Sequence, residues 1–360
     1  NAAELEPYRK EPEGSLTDAL THFKPFQQKL YDDGWVKLGW PQSCGGLGGS
    51  SVQRAAVLEE LAAAGYVIPE VMGSLEIIAP LLVRYSPELA AIHLPLGLSG
   101  QEMWCQGFSE PDAGSDLGSL RTKAVPDGDG WRLDGQKMWS SNGHLAQRCC
   151  MLARTGEPGY KGLTMFWVDM DSPGVTTVPT ECESGRAETA EIFLDNVFVP
   201  ADRVVGEVGK GWYEVMYLLQ FERGVYAWQR QAELHTELQH LAAAATDLSP
   251  ERQYEQVGNA YLSIFSLRAR ARDTFAEMST GAELGPKISV DKIMLGMTEQ
   301  SVTDAARALL WPRLELEDDD DARFWQRRWS FSRITTIYGG TAEVQRDLVA
   351  ERLLGLPRGR

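Results

Sequence analysis

No apolar run in this sequence approaches the ~18 residues of a membrane-spanning helix, so no membrane span is expected. The first residues, Asn1 to Lys10, are polar and lack the apolar core of a signal peptide. There is no surplus of positive charge: 35 Lys+Arg stand against 51 Asp+Glu, leaving a net charge of −16. That balance argues against nucleic acid as a partner, because such binding needs basic patches to neutralise phosphates. A small anionic ligand is still allowed, since local dipoles can oppose the global charge. Cysteine is scarce: Cys44, Cys105, Cys149, Cys150 and Cys182 form an odd set without a CxxC pair. The expectation is reduced thiols in a cytoplasmic protein and no disulfide framework. The five histidines lack metal-ligand spacing, and His235 and His240, five apart, point to different sides of a helix, so no metal site is expected. Internal repeats and low-complexity linkers are missing as well. What remains is 43% hydrophobic and 24% charged, a composition that excludes disorder and collagen-like repetition.

Pattern divides the 360 residues into three regions. Residues 1–100 read as mostly helical; Val52 to Ala64 has good helix-forming composition, and the glycine-rich stretch 45–49 must be a loop. Residues 101–205 read as an all-β module. Thr122 to Pro126, the turn Asp127 to Gly130 and Trp131 to Trp139 give strand, turn, strand; Leu163 to Val168 and Glu191 to Val199 are further strands. Residues 206–360 return to helix, with helices expected over 211–245, 253–278, 290–310 and 342–354. The acidic run from Glu315 to Asp321 is expected to be a solvated loop.

Four segments carry chemistry. Ser109-Glu-Pro-Asp-Ala-Gly-Ser-Asp116 sets small residues where backbone amides can approach an anion, though a plain surface turn has the same pattern. Gly135-Gln-Lys-Met-Trp-Ser-Ser-Asn-Gly143 places Trp139 beside two hydroxyls, which suits a flat heterocycle, and equally a core Trp followed by a polar turn. In the helix from Gly211, residues Trp212, Val215, Leu219 and Tyr226 form an apolar stripe, and Glu222 fills its gap. A carboxylate on an apolar face is desolvated and becomes a better base, unless it pairs with a buried Arg. Arg223 is its neighbour in sequence, but adjacent helix residues do not face each other. Last, Tyr338-Gly-Gly-Thr341 puts two glycines before a helix N-terminus; it suits a ligand, or a simple loop capped by Thr341.

In order and spacing these segments resemble the acyl-CoA dehydrogenases over residues 30–357. The matching elements are Phe108-Ser-Glu-Pro with Ala113-Gly-Ser-Asp116, Lys137-Met-Trp with Asn142-Gly143, Asn196-Val-Phe-Val-Pro200, Gly206-Glu with Gly209-Lys-Gly-Trp212, and Tyr338-Gly-Gly-Thr341. The resemblance implies an α+β, mainly α, fold: an N-terminal helical domain, a middle β-barrel and a C-terminal four-helix bundle. It also implies bound FAD. Gln106, Phe108, Ser109, Gly114 and Ser115 would contact flavin and phosphate, Trp139 would cover one flavin edge, Ser141 would lie near flavin N5, and Thr341 to Val344, with Glu343, would run along the cofactor. The same carry-over makes Ser115, Phe221, Arg223 and Tyr338 substrate-binding. The family usually has Thr where Ser109 and Ser141 stand, so the hydroxyls are kept.

The chain departs from the family pattern twice. Many members carry a catalytic Glu directly after the Tyr of the late motif, where this sequence has Gly339. A subset takes its Glu from the helix, before an Arg, and Phe221-Glu-Arg-Gly224 matches that arrangement. Glu222 is then the implied base, removing an α proton while a β hydride passes to flavin N5, and the Gly339 amide polarises the thioester carbonyl. Homomeric members also reach into the neighbouring subunit with an Arg, a Gln and a Gln-x-x-Gly-Gly loop to hold the FAD. The corresponding stretches, 229–252 and 309–315, do not match the family's pattern for the Arg and Gln or for that loop. The implied assembly is an α2β2 pair in which a second acyl-CoA dehydrogenase-like subunit completes the site, with one FAD per αβ unit. A homodimer with unusual pyrophosphate contacts competes with it.

The expected activity is α,β-dehydrogenation of an acyl-CoA to the trans-2-enoyl-CoA, on a bulky or steroid side chain, with electron-transfer flavoprotein as acceptor. An acyl-CoA oxidase or acyl-carrier-protein dehydrogenase on the same fold is a second expectation. A non-catalytic scaffold that binds flavin or a partner is a third.

Overall fold

Ser15 starts the first long helix through a capping box: its hydroxyl accepts the Asp18 N–H at 3.2 Å while Asp18 returns the favour to the Ser15 amide at 2.9 Å. The computed structural model describes residues 2–10, 12, 14–183, 185–245, 249–316 and 319–358. Its helices are α1 (Ala2–Leu5), α2 (Leu16–Asp32), α3 (Ser51–Ala63), α4 (Glu70–Tyr85), α5 (Pro87–Leu98), α6 (Gly211–Ala244), α7 (Pro250–Ser279), α8 (Ile288–Leu310), α9 (Arg313–Leu316), α10 (Asp320–Ile334) and α11 (Ala342–Leu348). The strands, all between α5 and α6, are β1 (Trp104–Gly107), β2 (Lys123–Asp127), β3 (Gly130–Ser141), β4 (Arg148–Arg154), β5 (Leu163–Asp169), β6 (Val175–Thr180), β7 (Thr189–Pro200) and β8 (Val204–Val205). The helix–strand–helix order and the mainly helical α+β class are as expected. No helix among the described residues is long and apolar enough to cross a membrane.

Contacts group the chain into two units. The first comprises residues 1–50, 68–182 and 186–221. Its eight strands form one sheet in the order β6-β7-β3-β2-β4-β5-β8, with β1 parallel to β4. β4 and β5, rich in apolar residues, are buried almost throughout, and Trp104 and Trp167 meet edge to face at 5.0 Å in this core. The turn at Gly128 joins β2 to β3, and the long pairing of β3 with β7 breaks register between Lys137 and Ser140. All five cysteines are free, four of them buried.

The second unit comprises residues 51–67, 183–185 and 222–360. Here α3 belongs with the long C-terminal helices. Trp228 Nε1 of α6 donates to the Ala55 carbonyl at 3.1 Å, and Thr236 Oγ1 donates to the Ala62 carbonyl at 3.0 Å. α6, α7, α8 and α10 bury Leu234, Leu238, Leu241, Ile264, Val302, Leu309 and Trp325 in one apolar cluster. α10 was not anticipated. Asp319, within the acidic run, accepts the Ala322 N–H at 2.7 Å and caps it, so Asp320 and Asp321 are helical first-turn acids rather than loop. Residues 317 and 318 of that run lie outside the described residues.

Candidate active site

In the first unit the loop after β1 is held by β3. Lys137, completely buried, reaches from β3 to Glu110 Oε1 at 2.8 Å and the Phe108 carbonyl at 3.1 Å. Glu110 also accepts the Arg121 and Thr122 amides at 2.6 and 2.9 Å. Burial pulls Lys137 down to about 8 against the attraction of Glu110. Met138 N–H donates to the Ser109 carbonyl at 2.9 Å, which fixes the same loop a second time. Glu110 and Ala113 close a tight turn by exchanging backbone hydrogen bonds, leaving Gly114 and Ser115 exposed beyond it. A Cβ built on Gly114 meets no protein atom within 4 Å, so the space before it is open.

Trp139 sits in the register break of β3. Its φ is +60°, a left-handed conformation that costs a bulky residue about 1–2 kcal/mol, and its side chain is 58% exposed. A strained, exposed tryptophan contributes nothing to the core, so a buried Trp followed by a polar turn does not describe this segment. Ser141, two residues on, is also exposed. Gln106 and Ser109 are half-buried, and Phe108 is buried. An open aromatic face, an exposed serine and a glycine with empty space before it suit a flat heterocycle carrying phosphates.

On α6 the buried positions up to the end of the first unit are Gly211, Glu214, Val215, Leu218, Gln220 and Phe221. Of the expected stripe Val215 is buried, whereas Trp212, Leu219 and Tyr226 are half-buried, so the buried line through Glu214, Leu218, Phe221 and Val225 is displaced by one position from it. Glu222 is half-buried too, at the stripe's edge. Glu214 is the deeply buried carboxylate of this segment. It accepts the Glu207 amide at 3.1 Å, and burial raises it to about 7.

In the second unit Glu222 meets the late motif. Gly339 and Gly340 both have left-handed backbones, φ +63° and +95°. A Cβ built on Gly339 would lie 2.7 Å from Glu222 Oε1 and 3.2 Å from Lys292 Cε, and one built on Gly340 would overlap Gln345 Nε2. Both backbones favour glycine, and a side chain at either position would displace its neighbours. Arg223 Nε donates to the Gly339 carbonyl at 3.2 Å, while among the described residues the Gly339 N–H has no protein acceptor. The carboxylate and an unused backbone donor thus stand side by side. Tyr338 turns its hydroxyl inward, and burial first, then Tyr226 and Glu299, hold it well above the usual tyrosine range. Thr341 Oγ1 accepts the Val344 N–H at 3.3 Å and caps α11, whereas Glu343 is exposed.

Three residues of this region went unnoticed in the sequence. Lys292 on α8 is buried, donates to the Thr335 carbonyl and lies 4.0 Å from the Tyr338 ring centre. Gln345 is fully buried, and its amide has no protein partner among the described residues. Glu299 takes Arg230 at 2.9 Å, Arg328 at 3.0 Å and the Thr335 hydroxyl at 2.8 Å. The available signal was a polar residue on the inner line of a helix, the pattern that singled out Glu222.

Three family descriptions match the chain in series: "Acyl-CoA dehydrogenase, N-terminal domain" over residues 2–101, "middle domain" over 105–197 and "C-terminal domain" over 209–354. The acyl-CoA dehydrogenase IpdE1 of Mycobacterium tuberculosis is 36% identical over 96% of this chain and 91% of that protein. The chain belongs to the acyl-CoA dehydrogenase family. Among solved structures, the Tcur3481-Tcur3483 steroid ACAD superposes with a TM-score of 0.84 at 25% identity, over 99% of this chain and 93% of that one. The ChsE4-ChsE5 complex from Mycobacterium tuberculosis superposes with a TM-score of 0.81 at 26% identity, over 94% and 91%. Members of the family generally bind FAD.

Proposed function

We propose that this protein is an FAD-dependent acyl-CoA dehydrogenase that removes the α and β hydrogens of an acyl-CoA thioester, with Glu222 as the base. The observation that carries the reading is the Glu222 carboxylate 2.7 Å from the Cβ point of a glycine whose N–H is unused. A thioester carbonyl bonded to the Gly339 N–H would have its α carbon acidified beside a carboxylate. Gly339 has no side chain to compete for that space. Arg223, bonded to the Gly339 carbonyl, anchors the peptide that follows, between Gly339 and Gly340. Tyr338 would border the acyl chain, and Phe221 and Ser115 are assigned to the substrate by motif position.

FAD, when bound, supplies the hydride acceptor. The residues that would hold it are Trp139 against a flavin edge, Ser141 and Ser109 as hydroxyl donors, Gln106 and Phe108 along the ring system, Gly114 and Ser115 at phosphate, and Thr341 with Glu343 at the start of α11. The left-handed, exposed Trp139 and the open space at Gly114 support this assignment. The acceptor of the electrons would be an electron-transfer flavoprotein, by family resemblance.

The substrate we favour is a CoA thioester of a bulky or steroid side chain, from the name of the steroid ACAD relative. A second, different acyl-CoA dehydrogenase-like subunit would complete the cofactor site in an α2β2 assembly. Two solved relatives carry paired names, and four arginines of the long helices are engaged within this chain. Arg230 binds Glu299, Arg252 the Ala308 carbonyl, Arg268 Glu59, and Arg270 Asp291.

Two measurements test this. A Glu222→Gln variant should keep its flavin and lose about 10³-fold in dehydrogenation of the matching acyl-CoA; a variant as active as the parent would return the chain to the scaffold reading. Flavin per chain should be low for the protein purified alone and rise to one FAD per pair when it is co-purified with the candidate subunit. One FAD per chain in the protein alone would mean a self-sufficient homo-oligomer.

A further inference from the structure

Lys292 has no part in the function proposed above, yet it borders the same glycine as Glu222. α8 carries the side chain inward to 4% exposure, its ammonium donates to the Thr335 carbonyl, and the Tyr338 ring lies beneath it at 4.0 Å. The Cβ point of Gly339 is flanked by both Glu222 Oε1 and Lys292 Cε, so a carboxylate from α6 and an ammonium stem from α8 border the same glycine. Glu299, the other carboxylate acting on Lys292, already takes Arg230, Arg328 and the Thr335 hydroxyl. Its charge is shared between two guanidiniums, whereas Glu222 acts on both Lys292 and Arg223.

We propose that Lys292 is a positioning residue for Glu222: it keeps the carboxylate ionised and aimed across Gly339 at the substrate's α carbon. The proposal rests on Glu222 being the base. The charged and titratable groups around Lys292 are Glu222 and Arg223 from α6, Glu299 from α8 itself, Tyr338 from the preceding loop, and Arg346 from α11, which lines the same small depression. Burial pulls Lys292 down to about 8, Glu222 and Glu299 pull it up, and Arg223 pushes it down. At pH 7 it is therefore mostly cationic. A cation beside a carboxylate lowers the pH at which the carboxylate takes a proton. The competing account is a cation that merely satisfies the Thr335 carbonyl and packs on Tyr338.

The test is the pH profile of kcat/KM for the FAD-loaded assembly carrying the parent chain, Lys292→Met or Lys292→Arg. The acidic limb reports protonation of the base. In K292M its midpoint should rise by about 1 pH unit, and in K292R it should return to the parent position. An unmoved limb in K292M, with E222Q inactive, overturns the role of Lys292. An active E222Q overturns the base assignment instead, so the two failures are distinguishable. A second measurement needs neither flavin nor turnover, and it covers the case in which K292M does not fold. In protein labelled with 13C at lysine Cε, the Lys292 signal, assigned by its loss in K292R, should titrate about 1 unit lower in E222Q than in the parent. An unchanged titration overturns the proposal.

Discussion

Gly339 and Gly281 share a left-handed backbone, φ +63° and +82°, in the same unit of the chain, but differ in what a methyl group would meet. At Gly281 a Cβ finds no atom within 4 Å; at Gly339 it finds Glu222 Oε1 at 2.7 Å and Lys292 Cε at 3.2 Å. Alanine at either position costs about 1–2 kcal/mol for the backbone conformation. The extra overlap at Gly339 falls on the tips of two flexible side chains, which can swing aside at little further cost. Gly339→Ala and Gly281→Ala should therefore lose nearly equal stability, within about 1 kcal/mol of each other in denaturant melts. Their rates should diverge. Displacing the Glu222 carboxylate by about 1 Å should lower kcat about 100-fold in G339A and leave G281A close to the parent. If G339A turns over as fast as G281A, Glu222 does not work across Gly339, and the geometric basis of the proposed function is wrong.

Further tests address other parts of the molecule. Trp139→Gly should leave the flavin-free protein as stable as the parent or up to about 1 kcal/mol more so, because the φ of +60° is relieved, while FAD affinity measured by fluorescence quenching falls. Lys137→Met should destabilise the fold by about 3–5 kcal/mol in urea melts, because Glu110 is left charged and buried without its partner. Glu214 has a folded-state pKa near 7, above the ordinary carboxyl value, so the folded form holds an extra proton between about 4.5 and 7. The contribution of Glu214 to stability should be greatest below that window and fall as pH rises through it. Glu214→Gln should remove that contribution to the slope and gain about 2 kcal/mol at pH 8, read as the difference from the parent in melts across pH.

The strands and helices with one clear period were legible in the sequence. β3, β5, β7, α3 and α6 to α8 stand where alternation, apolar runs or helix-forming composition put them. α10 was not, because its sequence is crowded with Arg and Trp and its start lies in an acidic run. Its cap, Asp319, is one aspartate among four, and only the fold shows which of them bonds the Ala322 amide. Within the candidate site, Glu222 and Gly339 were visible because each breaks a pattern, the first as an acid on an apolar stripe and the second as a gap in a motif. Lys292, Gln345 and Glu110 were not. A polar side chain paired across 27 residues, as Lys137 is with Glu110, looks the same in sequence as a solvated one. The displacement of the α6 stripe has the same origin: periodicity sets spacing, and neighbouring helices decide which face is covered.

The ionic cluster inside the helical bundle bears on how that bundle forms. Arg230, Glu233 and Glu237 come from α6, Glu299 from α8 and Arg328 from α10, with Arg230 and Arg328 both bound to Glu299 and to Glu237. Docking any two of these helices without the third would bury a charge whose counter-ion is still in water, at a cost of several kcal/mol. Partial assemblies are thereby penalised relative to both the unfolded chain and the finished bundle. The three helices should close in one concerted transition, so that hydrogen exchange at the middle of α6, α8 and α10 slows to a single common rate.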